Sequence, residues 1–198
     1  MSISSEKSQV RKSVIHKRSA LTPAAIEECA EKRLMPLAGF IEKLTGKKLS
    51  ELTVMSFMSY NTEFPTRKMN QLLLDKGARL AVPYTSPDFQ IISCIISSMD
   101  DLKLSKMGIP EPDPAVTEHI KASDADIILM PGAAFDKGGG RLGYGKGCYD
   151  RFLAESAGKL PPLAALTWSL QIVDSVPQDE NDLKVDYLFT EDSIIACR

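Results

Sequence analysis

Apolar positions recur at helical spacing through the first fifty residues and condense into short runs after them. Val10, Val14 and Leu21 share one face of a helix predicted between about residues 6 and 19. Thr22-Pro23 is a restart signal, because Thr caps a helix and Pro suits its first position. Ile26, Ala30, Leu34, Leu37, Ile41 and Leu44 then follow at three- and four-residue steps. They predict an amphipathic helix with a break or kink before Pro36 and a stop at Gly46. Leu52 to Met58 reads as a strand, Thr66 to Lys76 as a helix ended by Gly77, and Arg79 to Tyr84 as a strand. Phe89 to Ser97 is β-prone through Ile91, Ile92, Ile95 and Ile96, while Met107 to Pro114, with three Pro and one Gly, reads as a loop.

In the second half, Val116 to Ala122 reads as a short helix. Asp126-Ile127-Ile128-Leu129-Met130, closed by Pro131-Gly132, suits a strand buried on both faces of a parallel sheet. Tyr149 to Ala157 reads as a helix stopped by Gly158, and Leu163 to Trp168 and Tyr187 to Thr190 as strands. Strands alternating with helices predict an α/β fold, a mainly parallel sheet flanked by helices, as one domain over 1–198. In such sheets ligands lie beyond the carboxyl ends of the strands.

Composition narrows the function classes. The 198 residues are 43% hydrophobic and 25% charged, ordinary for a globular chain, and the net charge of -2 gives no field for nucleic acid. No apolar run reaches the roughly 20 residues that span a bilayer. Cys29, Cys94, Cys148 and Cys197 are scattered, which suggests free thiols in a reducing, cytoplasmic setting and neither a disulfide framework nor a zinc site. His16 and His119 lack Cys or His neighbours, and no Ser-His-Asp or Cys-His arrangement is evident. Lys7, Arg11, Lys12, Lys17 and Arg18 give the N-terminus a transit-peptide flavour, so a mitochondrial address is the less favoured alternative.

The stretch Asp136 to Asp150 is unusual. Six of its fifteen residues are Gly, three are basic and two are Asp. Glycines let the backbone approach a ligand, successive N–H groups form an anion-binding concavity, and Lys and Arg add full charge. The order strand, Gly-rich loop, helix places the loop and the positive end of a helix beside one anion. This predicts a phosphate cradle; a mobile Gly-rich surface loop is the plainer alternative. Gly140 to Lys146 fits the start of a Walker A loop, but Gly147 stands where Ser or Thr would hold magnesium. The dinucleotide pattern fails too, with Cys148 in place of its third Gly.

The chain resembles the 5-formyltetrahydrofolate cyclo-ligases along most of its length. Pro131-Gly132-Ala133-Ala134-Phe135-Asp136 followed by Arg141 to Asp150 carries most of the likeness. Lys7-x-x-x-Arg11, Tyr60, Glu63, Val82-Pro83, Gly108-Ile109-Pro110-Glu111-Pro112 and Glu180-Asn181-Asp182-Leu183-Lys184-Val185-Asp186 add to it in order. The resemblance implies a NagB/RpiA/CoA-transferase-like three-layer fold. It implies closure of 5-formyltetrahydrofolate to 5,10-methenyltetrahydrofolate with ATP as co-substrate, Mg2+ as cofactor, and ADP and phosphate released. The formyl oxygen is phosphorylated, N10 attacks the activated carbon, and phosphate leaves. That chemistry needs positioning and charge neutralisation more than a protein nucleophile.

By the same resemblance, Lys7, Arg11 and the run Arg141, Leu142, Gly143, Tyr144, Gly145, Lys146, Gly147, Cys148 and Tyr149 match ATP-binding positions. Arg141 and Lys146 are implied as the catalytic charge-neutralising pair. Met58, Glu63, Tyr144, Lys146 and Cys148 match substrate-binding positions, and Asp150 and Asp182 match metal positions. Plainer roles stay open: a solvated basic face for Lys7 and Arg11, core packing for Met58, a turn for Glu63, and a first-turn helix acid for Asp150. Asp186 competes with Asp182. The departures are Cys148, where the family has an aromatic residue, Tyr144, where some members carry Arg, and Pro65 at a commonly acidic position. The expected partners are 5-formyltetrahydrofolate, with or without a polyglutamate tail, and ATP, with no nucleic acid, no membrane and a monomer as the default. The competing classes are a small-molecule kinase or phosphosugar-handling enzyme using the same cradle, and a non-catalytic nucleotide- or folate-binding protein.

Overall fold

The computed structural model describes residues 2–156, 160–180 and 182–197. Two helices come first, α1 (Ile3–Arg18) and α2 (Pro23–Thr45). Ser2 and Thr22 cap them, each accepting the N–H three residues on, and Gly46 ends α2 in the left-handed conformation (φ 70°). α2 runs through Pro36 without the expected break. The carbonyl that loses its partner belongs to Lys32, on the exposed face, where water can serve it, and the buried stripe Cys29, Ala30, Leu37, Ala38 and Ile41 holds both halves to the core.

The remaining elements are β1 (Thr53–Met55), α3 (Arg67–Asp75), β2 (Arg79–Thr85), β3 (Ile91–Ile96), β4 (Lys103–Leu104), β5 (Pro110–Glu111), β6 (His119–Ile120) and β7 (Ile127–Met130), then β8 (Ala134–Phe135), β9 (Arg141–Leu142), α4 (Cys148–Ala154), β10 (Leu163–Leu166), β11 (Tyr187–Phe189) and β12 (Ile194–Ala196). Eight strands form one sheet in the order β12-β11-β10-β7-β1-β2-β3-β6. The five from β11 to β2 are parallel, and β12, β3 and β6 pair antiparallel at the two edges. The α/β expectation with a mainly parallel sheet therefore holds.

Period-two alternation builds the layers. Val54, Leu80, Ile127, Leu129, Ala164 and Leu166 face α2 and α3, whereas Met55, Ala81, Ile128, Met130, Ala165 and Leu188 face Phe152 and Leu153 of α4. Helix, sheet and helix make three layers. A smaller cluster seats Val14 of α1 on Ala134, Leu142 and Val176.

Three expectations are corrected. Val116 to Ala122 is not a helix: His119 and Ile120 pair with Cys94 and Ser93 as an edge strand. A seven-residue segment has little helical stability of its own, and sheet pairing wins. Within the expected loop 107–114, Pro110–Glu111 pairs with Lys103–Leu104. The helix expected over Tyr149 to Ala157 ends at Ala154, and its proposed stop, Gly158, lies outside the described residues. Among the described residues no helix is long and apolar enough to cross a membrane.

Candidate active site

β1 and β7 are adjacent and parallel, so the segments leaving their carboxyl ends lie side by side. β1 leads to residues 56–66, which bond to one another. Thr66 Oγ1 donates to Phe57 O (2.7 Å), Ser59 Oγ donates to Phe64 O (2.8 Å), and the Tyr60 N–H donates to Glu63 Oε2 (2.9 Å). The Trp168 indole, just past β10, donates to Thr62 O (2.9 Å). Glu63 is thus buried on a braced turn. Burial pushes its carboxyl above the usual range, against the Tyr144 and Tyr60 hydrogen bonds and the charge of Arg18.

β7 leads through Pro131-Gly132 into the hairpin β8–β9 and the Gly-rich run. The first half of that run is a turn. Asp136 Oδ1 accepts the N–H groups of Gly138 and Gly140 (2.9 Å each), and Asp136 Oδ2 accepts that of Val176 (2.8 Å). Gly139 has φ 85°, and a Cβ there would stand 2.4 Å from Val185 O. These N–H groups are spent on the fold and are not free to hold an anion.

Arg141 is 4% exposed and bonds Asp150 in the first turn of α4 (Nη2 to Oδ1, 2.5 Å). Its guanidinium lies 5.8 Å from the centre of the Tyr149 ring. Arg141 Nε and the Tyr149 hydroxyl are buried without a hydrogen-bond partner among the described residues. Both can donate, and neither donation is used by another described residue. Burial, and then the negative charge of Glu63, pushes the Tyr149 hydroxyl far above its ordinary range.

Tyr144 joins the two segments. Its hydroxyl donates to Glu63 Oε1 and accepts from Arg18 Nη1 at 2.8 Å. Burial around the hydroxyl, with Glu63 beside it, pushes the phenol well up although the residue as a whole is exposed. Leu142 is buried under Val14, and Gly143 O accepts from Arg11 Nε (2.9 Å). The Arg11 guanidinium also lies against Gly145, 3.5 Å from where a Cβ would sit. Gly147, at φ 63°, opens α4. Cys148 is half-buried, and burial raises its thiol.

The other sequence-predicted residues have partners of their own. Lys146 is exposed, with its ammonium 4.4 Å from the centre of the Phe89 ring, while Arg141 is buried beside Asp150. Lys7 bonds Asp179 (2.7 Å) and Asp182. Met58 packs in the core, where its sulfur accepts from Asn70 Nδ2 (3.4 Å). Asp186 Oδ2 accepts the Leu163 N–H (2.9 Å) at the entrance to β10 and β11, the amino end of those strands.

A divalent cation finds no cage of three or more His, Cys, Asp or Glu among the described residues. Magnesium is held by one or two carboxylates plus substrate phosphates, and Asp150, partly exposed beside donors suited to phosphate, fits that pattern. Asp182 fits it only where Lys7 yields Oδ2.

Arg18 went unnoticed as a site residue. The signal was available, since Lys7, Arg11, Val14 and Arg18 fall on one stripe of α1 at steps of four, three and four. That stripe faces the site, so its charges are placed there. Thr62 and Phe89 gave no comparable signal.

The 5-formyltetrahydrofolate cyclo-ligase family model matches residues 3–191. The 5-formyltetrahydrofolate cyclo-ligase of Mycolicibacterium smegmatis is 29% identical over 197 residues, 97% of each chain. The mitochondrial 5-formyltetrahydrofolate cyclo-ligase of Arabidopsis thaliana is 29% identical over 174 residues, 79% of this chain and 60% of that one. Among solved structures, the Aquifex aeolicus 5,10-methenyltetrahydrofolate synthetase superposes with a TM-score of 0.79 at 29% identity, covering 97% of this chain and 93% of that one. The Mycoplasma pneumoniae 5,10-methenyltetrahydrofolate synthetase shares the fold, with a TM-score of 0.70 at 24% identity over 97% of this chain and 99% of that one.

Proposed function

The chain belongs to the 5-formyltetrahydrofolate cyclo-ligase family, and from that premise we propose that it closes 5-formyltetrahydrofolate to 5,10-methenyltetrahydrofolate at the expense of ATP, with Mg2+ as cofactor. The observation that carries this reading is the bond from the Tyr144 hydroxyl to Glu63. It joins the Gly-rich loop, matched to the nucleotide, to the carboxylate matched to the folate. Two substrates that must exchange a phosphoryl group need such neighbouring halves.

The residues divide the work. Glu63 accepts hydrogen bonds from the pterin's N–H groups. Arg141 Nε and the Tyr149 hydroxyl supply donors to phosphoryl oxygens, and the loop from Gly143 to Gly147 and the amino end of α4 lie beside them. Lys7 and Arg11 approach from α1, and Lys146 is the exposed cation of the loop. Asp150, with Asp182 as the second candidate, would hold Mg2+, which neutralises phosphate charge when bound. The formyl oxygen takes the phosphoryl group, N10 forms its bond to the formyl carbon, and the carbon–oxygen bond breaks as phosphate leaves. The N10 proton passes to solvent. A monomer in the cytoplasm fits this reading.

Purified protein with 5-formyltetrahydrofolate and MgATP, beside a control without ATP, is the test. Growth of the methenyl product's near-ultraviolet absorbance only with ATP is expected. ATP turnover without any dependence on reduced folate would instead identify a kinase-like enzyme, and ATP binding without product a non-catalytic binder.

A further inference from the structure

Arg18 closes the cationic stripe of α1, and its side chain is 5% exposed. Burying a charge costs several kcal/mol unless it is well partnered, and an apolar residue serves packing as well or better. Its direct partners are neutral: Nε donates to Thr62 Oγ1 (3.2 Å) and Nη1 to the Tyr144 hydroxyl (2.8 Å). The guanidinium also lies 5.7 Å from the Tyr144 ring centre. The charge that balances it is Glu63, one hydroxyl further on. Arg18 therefore touches both sides of Glu63, the turn residue before it and the phenol bonded to it.

We propose that Arg18 is a positioning residue for the pterin end of the folate: through the Tyr144 hydroxyl and the Thr62 turn it fixes the Glu63 carboxylate in the orientation that accepts the pteridine's paired N–H donors. This rests on the reading of Glu63 as the folate contact. A carboxylate has about four acceptor directions; Tyr60 N–H and Tyr144 use two, which leaves one on each oxygen. Protonation would put a donor where the ligand also presents donors. Burial drives Glu63 towards protonation, and the groups facing it oppose this: Tyr144 from the loop, Tyr60 N–H from its own turn and Arg18 from α1. Tyr149, from α4, faces it as a neutral phenol. Arg18 is the cation of the set, so it keeps the acceptor an acceptor.

The test uses the full chain and two readouts. Carboxyl-carbon NMR of ligand-free protein follows the Glu63 titration, assigned with Glu63→Gln. In Arg18→Met its midpoint is expected to move to higher pH, and in Arg18→Lys to return most of the way. An unmoved midpoint in Arg18→Met overturns the proposal, whatever the protein's substrate. Steady-state assays should show the KM for 5-formyltetrahydrofolate rising about tenfold in Arg18→Met, the loss of one charge-assisted hydrogen bond, with the KM for MgATP nearly unchanged. Equal loss for both substrates would mark a merely structural residue. A wild-type protein that makes no methenyl product overturns the pterin half alone, and the titration still decides whether Arg18 governs Glu63. Should Arg18→Met fail to fold, Tyr144→Phe, which removes the bridging hydroxyl, must move the same midpoint upward; no movement overturns the proposal.

Discussion

The Arg141 side chain, 3% exposed, meets the Asp150 carboxylate at 2.5 Å, so the cation of the Gly-rich loop and the acid of the next helix neutralise each other inside the site. Neither is an isolated charge waiting for a ligand. Truncating one partner of a buried pair leaves the other desolvated, which costs about 3 kcal/mol. Asp150→Ala should therefore lower Tm by roughly 6–12 °C for a chain of this size. Asp150→Ala combined with Arg141→Met should recover part of that loss, because the orphaned cation is gone. Calorimetry of the two variants checks this, and a double variant no more stable than Asp150→Ala would show the pair is not coupled.

The glycines of the run differ in kind. Gly139 combines φ 85° with a backbone oxygen 2.4 Å from where a Cβ would sit, so Gly139→Ala is both strained and blocked. Gly138 has neither problem; the nearest atom to its Cβ would be Asp136 Oδ1 at 3.3 Å. Gly139→Ala should destabilise by about 2–3 kcal/mol and Gly138→Ala by less than about 1 kcal/mol. Urea unfolding of both is the measurement. Equal effects would return the segment 138–140 to the status of a mobile loop.

The parallel centre of the sheet was legible because buried strands such as Ile127 to Met130 are continuous apolar runs, and such runs have few other uses. The edges were not. β12 and β6 are only three and two residues long, partly exposed, and held by pairing with a neighbour that the local sequence does not reveal. Glycine content pointed to the cradle but could not separate Gly138–Gly140, which serve a turn, from the residues around Arg141, which leave donors unpaired. Lys146 and Arg141 are five positions apart, and only the path of the loop shows that one lies over Phe89 and the other under α4.

Glu63 is held for recognition at a cost to stability. Its folded-state carboxyl titrates above the unfolded value near 4.5, so the folded protein resists losing that proton. Stability from this group is fully present below the unfolded value and declines as pH rises through the folded one. Glu63→Gln should therefore gain Tm relative to wild type at pH 7–8, with the gain shrinking towards pH 4, while folate-dependent turnover is lost. Thermal melts across that range decide it. A gain that grows at low pH would mean the carboxyl is stabilised as an anion.

Lys7 fastens α1 to the loop that carries Asp179 and Asp182, and Arg11, one turn on, fastens it to Gly143. Burial alone would lower the Lys7 ammonium, but the hydrogen bonds and charges of Asp179 and Asp182 together raise it. A base raised on folding contributes stability that is fully present below its unfolded value of 10.5 and lost as pH climbs through the folded one. Lys7→Met should thus lower Tm by about 3–6 °C at pH 7–9, the loss of about 1–2 kcal/mol from a partly buried charge-assisted bond, and match wild type at strongly alkaline pH. Because α1 presents Lys7 and Arg11 together, removing residues 1–11 should raise the Kd for MgATP by at least about tenfold, beyond the effect of Lys7→Met alone. Isothermal titration of both variants with a non-hydrolysable MgATP analogue reads this directly. Unchanged affinity in the truncated chain would take α1 out of the nucleotide site and leave its stripe of cations a structural clamp.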